Sequence, residues 1–412
     1  MIVIATRESW LRLPLFVMMM FLLLLAYVIK PYTYDLDKYS IYFNTGYIAV
    51  QPWHTGDPEQ DPDVVQKFRL DERDTTGEPY SQGFEPGFRL LANIGHLFLP
   101  KGSLVPRVND DTGDFQAKII PRSDATIFLI MLLGFGALYV SARRLYLETS
   151  SAQDSLKLYL IVVGPVILGS VFFFMGSQNS LRQFLGLSTV ALALASYSSR
   201  RYIVCIVLVI VSSVFHRWAP ILGLIGVSLA AAQSIEFQSN PRRDVKSYYL
   251  STPEILSVIL GISVAVCIKG IAVFGFFNVD GIPLINDFKL YVIESAQHES
   301  LERLNSLIKL SAISIVVVGS ELLLGKTETS RNIDIRLLRR QMFCFIVPLV
   351  IYPEIFSRTL SLYWLIEALF LVWAISSSNF RIRLAGASVF LVYGLAPNAI
   401  NILIGPGWLH SF

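Results

Sequence analysis

Apolar stretches recur along this chain at residues 13–29, 125–142, 158–175, 181–197, 203–215, 219–232, 255–277, 304–324, 341–355, 360–376 and 384–404. A helix that crosses the hydrocarbon core of a bilayer needs about 20 predominantly apolar residues, and the shorter stretches reach that length by borrowing their flanks. The pattern predicts an all-α polytopic integral membrane protein of about 11 transmembrane helices. Its weakest point is the junction of the fifth and sixth stretches, where Pro220 lies. The first stretch follows Arg7 and Arg12, and no small-residue cleavage site precedes Lys30-Pro31. It is therefore expected to be a signal anchor rather than a removable signal peptide.

Basic residues set the expected orientation. Arg143/Arg144, Arg200/Arg201, Arg242/Arg243/Lys246, the run 326–340 and Arg381/Arg383 flank every second stretch. With a cytoplasmic N-terminus, each of these clusters falls in the cytoplasm. The outside then receives residues 31–124, the Ser177 turn, the His216 turn, residues 278–303, the turn at 354–358 and the C-terminus. The organisation is one membrane domain over 1–412: a first helix (1–30), one long extracytoplasmic loop (31–124) and the remaining helices (125–412). Within the loop, residues 51–82 are rich in Asp, Glu, Pro and Gly and read as irregular. Residues 86–99 read as an amphipathic surface helix, with Arg89, Asn93 and His96 on one side and Phe88, Leu91 and Phe98 on the other.

Composition agrees with lipid as the solvent, since 53% of residues are hydrophobic and only 16% charged, with a mean hydropathy of +0.55. A net charge of +3 gives no footprint for nucleic acid. Cys205, Cys267 and Cys344 all lie in apolar runs, so they read as unpaired packing residues without a disulfide framework or a metal motif.

The candidate chemistry lies in residues that break the orientation rule. Arg182 opens the fourth stretch on the outer side. A helix N-terminus already carries positive partial charge, so an arginine there calls for an anion. Backbone N–H groups and a guanidinium fork can together hold a diphosphate, and snorkelling to lipid headgroups is the other reading. His216-Arg217-Trp218 closes the fifth stretch on the same side, and Arg358 follows the turn at 352–357. Three arginines near three short outer turns favour one anionic ligand held between helices. Trp218 reads as an interfacial belt residue. His216 reads as an interface histidine or as a general base near neutral pH. Acidic candidates are Asp35 and Asp37, a pair that could hold a metal or supply a base, and Glu85, which could be catalytic or no more than a helix-start charge. Lys269, Glu321 and Glu367 fall within or near spans and read as a structural pairing or as an ion pathway.

Tyr34-Asp-Leu-Asp-Lys-Tyr39, Phe84-Glu-Pro-Gly-Phe88, Arg182-Gln183 and Phe215-His-Arg-Trp218 occur in that order over roughly the first 235 residues. Together they resemble the EpsG family, which groups with Wzy-type polymerases of O-antigens, capsules and exopolysaccharides. The resemblance implies a membrane glycosyltransferase of the bacterial cytoplasmic membrane. It would transfer a growing glycan from undecaprenyl diphosphate to the non-reducing end of a lipid-linked repeat unit, on the outer face, with no cofactor and no metal. The implied roles are diphosphate binding by Arg182, Arg217 and Arg358, and a base among His216, Asp35 and Glu85. Gln183, Tyr39 and Arg89 would contact substrate. Implied partners are the lipid-linked oligosaccharide donor and acceptor, the bilayer, a chain-length regulator and a flippase, and no nucleic acid. A transferase using a polyprenyl-phosphate sugar and a flippase of lipid-linked oligosaccharides are the alternative readings. The acidic insertion between Tyr47 and Gln82 departs from the family pattern.

Overall fold

The computed structural model describes residues 17–24, 47–49, 67–69, 85–88, 90, 91, 94, 104–108, 115–119, 124–149, 156–179, 181–239, 251–274, 300–324, 333–377 and 379–395. In chain order the helices are α1 (Asp124–Thr149), α2 (Leu156–Leu168), α3 (Val171–Asn179), α4 (Leu181–Ser198), α5 (Tyr202–Ser212), α6 (Ala219–Ser239), α7 (Thr252–Phe274), α8 (Ser300–Leu324), α9 (Ile335–Ile346), α10 (Pro353–Ile375) and α11 (Phe380–Val389). A 3₁₀ turn over Val347–Ile351 joins α9 to α10, and α11 runs on into a π-helical turn, Phe390–Leu395. Residues 17–24 are also helical, as are 86–88, 90, 91 and 94 of the segment between residues 31 and 124. That segment holds two short antiparallel ladders as well. The strand β1 (Tyr47–Ala49) pairs with β2 (Lys67–Arg69), and β3 (Leu104–Val108) with β4 (Phe115–Ile119). They add local strand to a loop in which the sequence pattern predicts only one helix.

Among the described residues, α1, α7, α8 and α10 are long and apolar enough to cross a membrane. Their outward sides say what surrounds them. On α7, Ile255, Ile259, Ile262 and Val266 are exposed, and on α8 so are Leu304, Ile308, Ile315, Val318 and Leu322. Each set follows a spacing of three, four or seven, which is one side of a helix. In water such stripes would cost roughly 25 cal/mol for each Å² left uncovered. Hydrocarbon removes that cost, so the chain is an α-helical, membrane-embedded protein.

The middle of the bundle is less apolar because protein, not lipid, surrounds it. Only Arg182, Leu192 and Tyr197 of the 18 residues of α4 escape burial. Glycine notches let neighbours approach it closely. The Phe184 ring fills the space that a Cβ on Gly134 or on Gly176 would need, 2.1 and 2.8 Å from the ring atoms.

Two predicted spans are broken. The stretch 158–175 splits at Gly169-Ser170, where Ser170 Oγ donates to Ile167 O at 2.7 Å and accepts the N–H of Phe173 at 3.2 Å. A hydroxyl that caps a new first turn ends the old helix and starts another. The stretch 341–355 is not one continuous α-helix either. Pro348 has no N–H for the α ladder, so α9 tightens into the 3₁₀ turn, and Pro353 occupies the start of α10. Arg358 is therefore a helical residue of α10 rather than part of a turn.

The basic run 326–340 is corrected more sharply. Its end is not a loop but the first half of α9, capped by the Asp334 side chain, which accepts from the N–H of Arg336 and of Leu337. Arg336, Arg339 and Arg340 are all buried. The first donates through Nε to Glu321 Oε2 at 2.8 Å. Arg339 grips Glu367 with two donors, Nε to Oε2 and Nη2 to Oε1, and its guanidinium lies 4.3 Å from the Phe370 ring centroid. Arg340 Nε is 2.7 Å from Glu254 Oε1. The other Glu254 oxygen accepts from Ser251 N and Oγ, both at 2.6 Å, and so ties the first turn of α7 back to the residue before it. Glu321 and Glu367 thus pair within the bundle, with arginines of α9 as partners, while Lys269 is exposed on α7. Of the three cysteines, all free, Cys205 and Cys344 are buried and Cys267 is exposed.

A buried arginine that loses its carboxylate keeps a charge it cannot shed. Glu367→Ala is therefore expected to destabilise the fold by about 3–5 kcal/mol, seen as a lower unfolding midpoint in detergent. Replacing Glu367 and Arg339 together by leucine should recover most of that loss.

Candidate functional site

At the end of the bundle away from α9, the chain must turn between α5 and α6. Ser212 Oγ and Ser213 Oγ donate back to Val209 O and Ile210 O, both at 2.6 Å, and loosen the last turn of α5. Tight turns follow, with the N–H of His216 bonded to Ser212 O at 3.1 Å and the N–H of Ala219 to His216 O at 3.0 Å. Pro220, in the first turn of α6, suits a helix start. The turn packs on α4 through Gly186, where a Cβ would lie 2.7 Å from Ala219 Cβ and 3.1 Å from His216 Cβ. His216 is thereby buried beside the first turns of α4.

A third element joins from the segment before α1. Gly87 N–H donates to Val214 O at 2.8 Å, and a Cβ on Gly87 would lie 2.5 Å from Val214 Cγ1. That approach needs a glycine. It brings in Glu85, whose Oε2 accepts from Arg182 Nη1 at 3.0 Å and whose Oε1 accepts from the backbone N–H of Arg217 at 3.0 Å. The Arg217 Nε is 4.0 Å from the same Oε1. The anion that an arginine at a helix N-terminus calls for is thus supplied from within the chain, 97 residues away. The carboxylate is nearly inaccessible, with 4% of the Glu85 side chain exposed against 26% for Arg182 and for Arg217.

The fourth contribution is electrostatic. Burial first, and then the charges of Arg182, Arg358 and Arg217, hold the His216 imidazole well below its usual range of 6.5, so it is neutral at neutral pH. Its Nδ1 accepts the N–H of Trp218 at 3.3 Å, an arrangement that assigns the proton to Nε2. Trp218 itself is buried, so it packs in the bundle rather than standing in an interfacial belt.

Glu85, Arg182, Arg217 and His216 therefore gather from the segment before α1, from α4 and from the α5–α6 turn, and Arg358 of α10 is near enough for its charge to act on the imidazole. Gln183, next to Arg182, is buried on α4. Asp35, Tyr39 and Arg89, with Asp37, Asn93 and His96, lie outside the described residues. Sequence reasoning missed the two glycines that let this cluster close. Gly87 was visible in Phe84-Glu-Pro-Gly-Phe88 and Gly186 stands four residues after Arg182, but neither carries chemistry of its own. No family model, no curated protein and no solved structure matches the chain.

An imidazole kept neutral by the fold couples folding to pH. The unfolded chain takes up a proton near pH 6.5 and the folded chain does so only well below it. The His216 contribution is thus complete above about pH 6.5 and lost as pH falls beneath it. Melting wild type and His216→Gln between pH 7.5 and 5 checks this, and the wild-type midpoint should fall more steeply.

Proposed function

We propose that this chain is a polysaccharide polymerase, a membrane glycosyltransferase that moves a growing glycan from undecaprenyl diphosphate to the non-reducing end of a lipid-linked repeat unit. The observation that carries the reading is the buried His216 beside a carboxylate, Glu85, that Arg182 and Arg217 share, with the charge of Arg358 acting on the same imidazole. A departing lipid diphosphate needs its developing negative charge stabilised, and fixed cations at the start of a helix suit that task. An acceptor hydroxyl needs a base, and His216 is uncharged at neutral pH. To accept the proton at Nε2, the imidazole must carry its own on Nδ1 and release the Trp218 amide. A diphosphate bound by the arginines would offset their field and raise the basicity of His216. The base thus strengthens when the substrate is in place.

The placement within the membrane belongs to the same proposal. About 11 spans are expected, with the N-terminus in the cytoplasm, the C-terminus outside and the bacterial cytoplasmic membrane as location. Packing supports the common end of the basic clusters. Tyr146 Oη reaches Ser376 O at 3.5 Å, and Arg383 donates to Ser377 O at 2.9 Å. The cluster around His216 lies at the other end of these helices, where the lipid-linked substrates would be. A flippase reading draws on charges deep in the bundle, but the arginines of α9 are matched there by Glu254, Glu321 and Glu367.

The test is polymerisation of a defined repeat unit on a short polyprenyl diphosphate by the purified protein. Wild type should give a ladder and release the diphosphate carrier. His216→Ala should lower the rate by roughly 10²–10⁴-fold, and Arg182→Ala by about 10²-fold or more, both measured on correctly folded protein. Movement of lipid-linked glycan across proteoliposomes by a wild type that makes no ladder would replace this reading with transport.

A further inference from the structure

Glu85 was a candidate base on sequence grounds, but its surroundings suit a different task. A base must touch the proton it removes. Glu85 and His216 are about equally buried, so burial does not choose between them, but the two arginines beside Glu85 are each about a quarter exposed. The carboxylate therefore stands behind the guanidinium groups, on the protein side. Both of its oxygens already accept hydrogen bonds, one from the Arg182 side chain and one from the Arg217 amide. Those two partners belong to different elements, α4 and the α5–α6 turn. The backbone of the same segment adds a second fastening, from Gly87 N–H to Val214 O. Loop, turn and helix are thus clasped at two points, two residues apart.

Resting on the polymerase reading above, we propose that Glu85 is a positioning residue: its carboxylate aims Arg182 and pins the Arg217 amide, and so presets the arginine cluster for a lipid diphosphate. It takes no proton from the acceptor sugar. The outer segment is then part of the binding site, since without Glu85 the Arg182 guanidinium has lost the carboxylate that orients it. Charge-assisted hydrogen bonds of this kind fix geometry more firmly than neutral ones. A glutamine has the same shape but brings a neutral oxygen and an N–H group to a place where both neighbours donate. An aspartate keeps the charge and shortens the reach.

The experiment measures binding of inorganic pyrophosphate and of farnesyl diphosphate to the purified protein in detergent, for wild type, Glu85→Gln, Glu85→Asp, Arg182→Ala and the double variant Glu85→Gln/Arg182→Ala. Glu85→Gln should weaken binding by about tenfold or more, with Glu85→Asp in between. In the Arg182→Ala background Glu85→Gln should have clearly less effect, because part of its action runs through Arg182. Tighter binding of farnesyl diphosphate than of pyrophosphate would identify the lipid-linked form as the ligand. In the polymerisation assay Glu85→Gln should raise KM and keep the acid limb of the pH–rate profile, which belongs to His216. Glu85→Gln that binds both probes like wild type, yet has lost turnover together with that limb, would make Glu85 the base and overturn the proposal. Equal effects of Glu85→Gln with and without Arg182 would overturn it too. A wild type that binds neither probe would instead overturn the diphosphate reading on which the proposal rests. If Glu85→Gln does not fold, Arg182→Lys carries the test. It keeps the charge but loses the fork, and should weaken binding while leaving the acid limb in place.

Discussion

A guanidinium cannot give up its charge, so every arginine drawn into an apolar bundle obliges the fold to bring a carboxylate to meet it. Three arginines on α9 impose this at once, and their partners come from three separate helices: Glu254 on α7, Glu321 on α8 and Glu367 on α10. Satisfying one short helix therefore fixes three long ones relative to each other. Van der Waals contact between helices in lipid sets distances, but it discriminates weakly between one rotation and the next. The ion pairs discriminate strongly, because a wrong rotation leaves an uncompensated charge. Gln233 adds a neutral version of the same constraint, donating to Gln341 Oε1 at 2.6 Å and accepting the Asp334 N–H at 2.9 Å, which ties α6 to α9.

The same rule acts at the opposite end with a different outcome. Glu85 meets Arg182 and Arg217 and so draws a loop segment onto the bundle. There the arginines stay partly exposed, whereas the side chain of Arg339 has no exposure at all. Burial decides what each cluster can do. A sealed pair is structural, since no ligand can reach it and either partner alone is a liability. A half-open pair can turn its remaining surface to an anion that arrives from outside.

Much of this was legible along the chain, for a physical reason. Helix positions follow from hydrophobic length, which is local, and stretches such as 255–277 and 304–324 meet α7 and α8 closely. The members of the cluster stood out because they broke a compositional rule, that basic residues avoid short outer turns. What stayed hidden depends on partners far away in sequence. Glu85 is 132 residues from Arg217, and nothing local to either announces the other. Arg336, Arg339 and Arg340 were misread as loop charges because the composition of a basic run is the same whether it faces water or three glutamates. Their spacing of three and four did carry the signal, for it puts three charges on adjoining positions of one helix. The breaks at Gly169-Ser170 and Pro348 were likewise written in single residues inside otherwise continuous apolar stretches.

The two ends together suggest how a membrane bundle can hold a charged site without being weakened by it. Guanidinium groups gathered near a buried imidazole repel one another, and Glu85 offsets part of that charge by meeting Arg182 and Arg217. Such a cluster persists when the rest of the structure holds its parts in place. Here the holding is done at a distance. α10 carries Arg358 near its start and Glu367 nine residues further on, so the helix that delivers a cation to the cluster is itself anchored by Arg339. α4 carries Arg182 at its start and is buried along nearly its whole length. The electrostatic strain of the one end is therefore borne by the matched charges and close packing of the other. A site built this way can accept an anion with little rearrangement, because the cost of gathering its cations has already been met in folding.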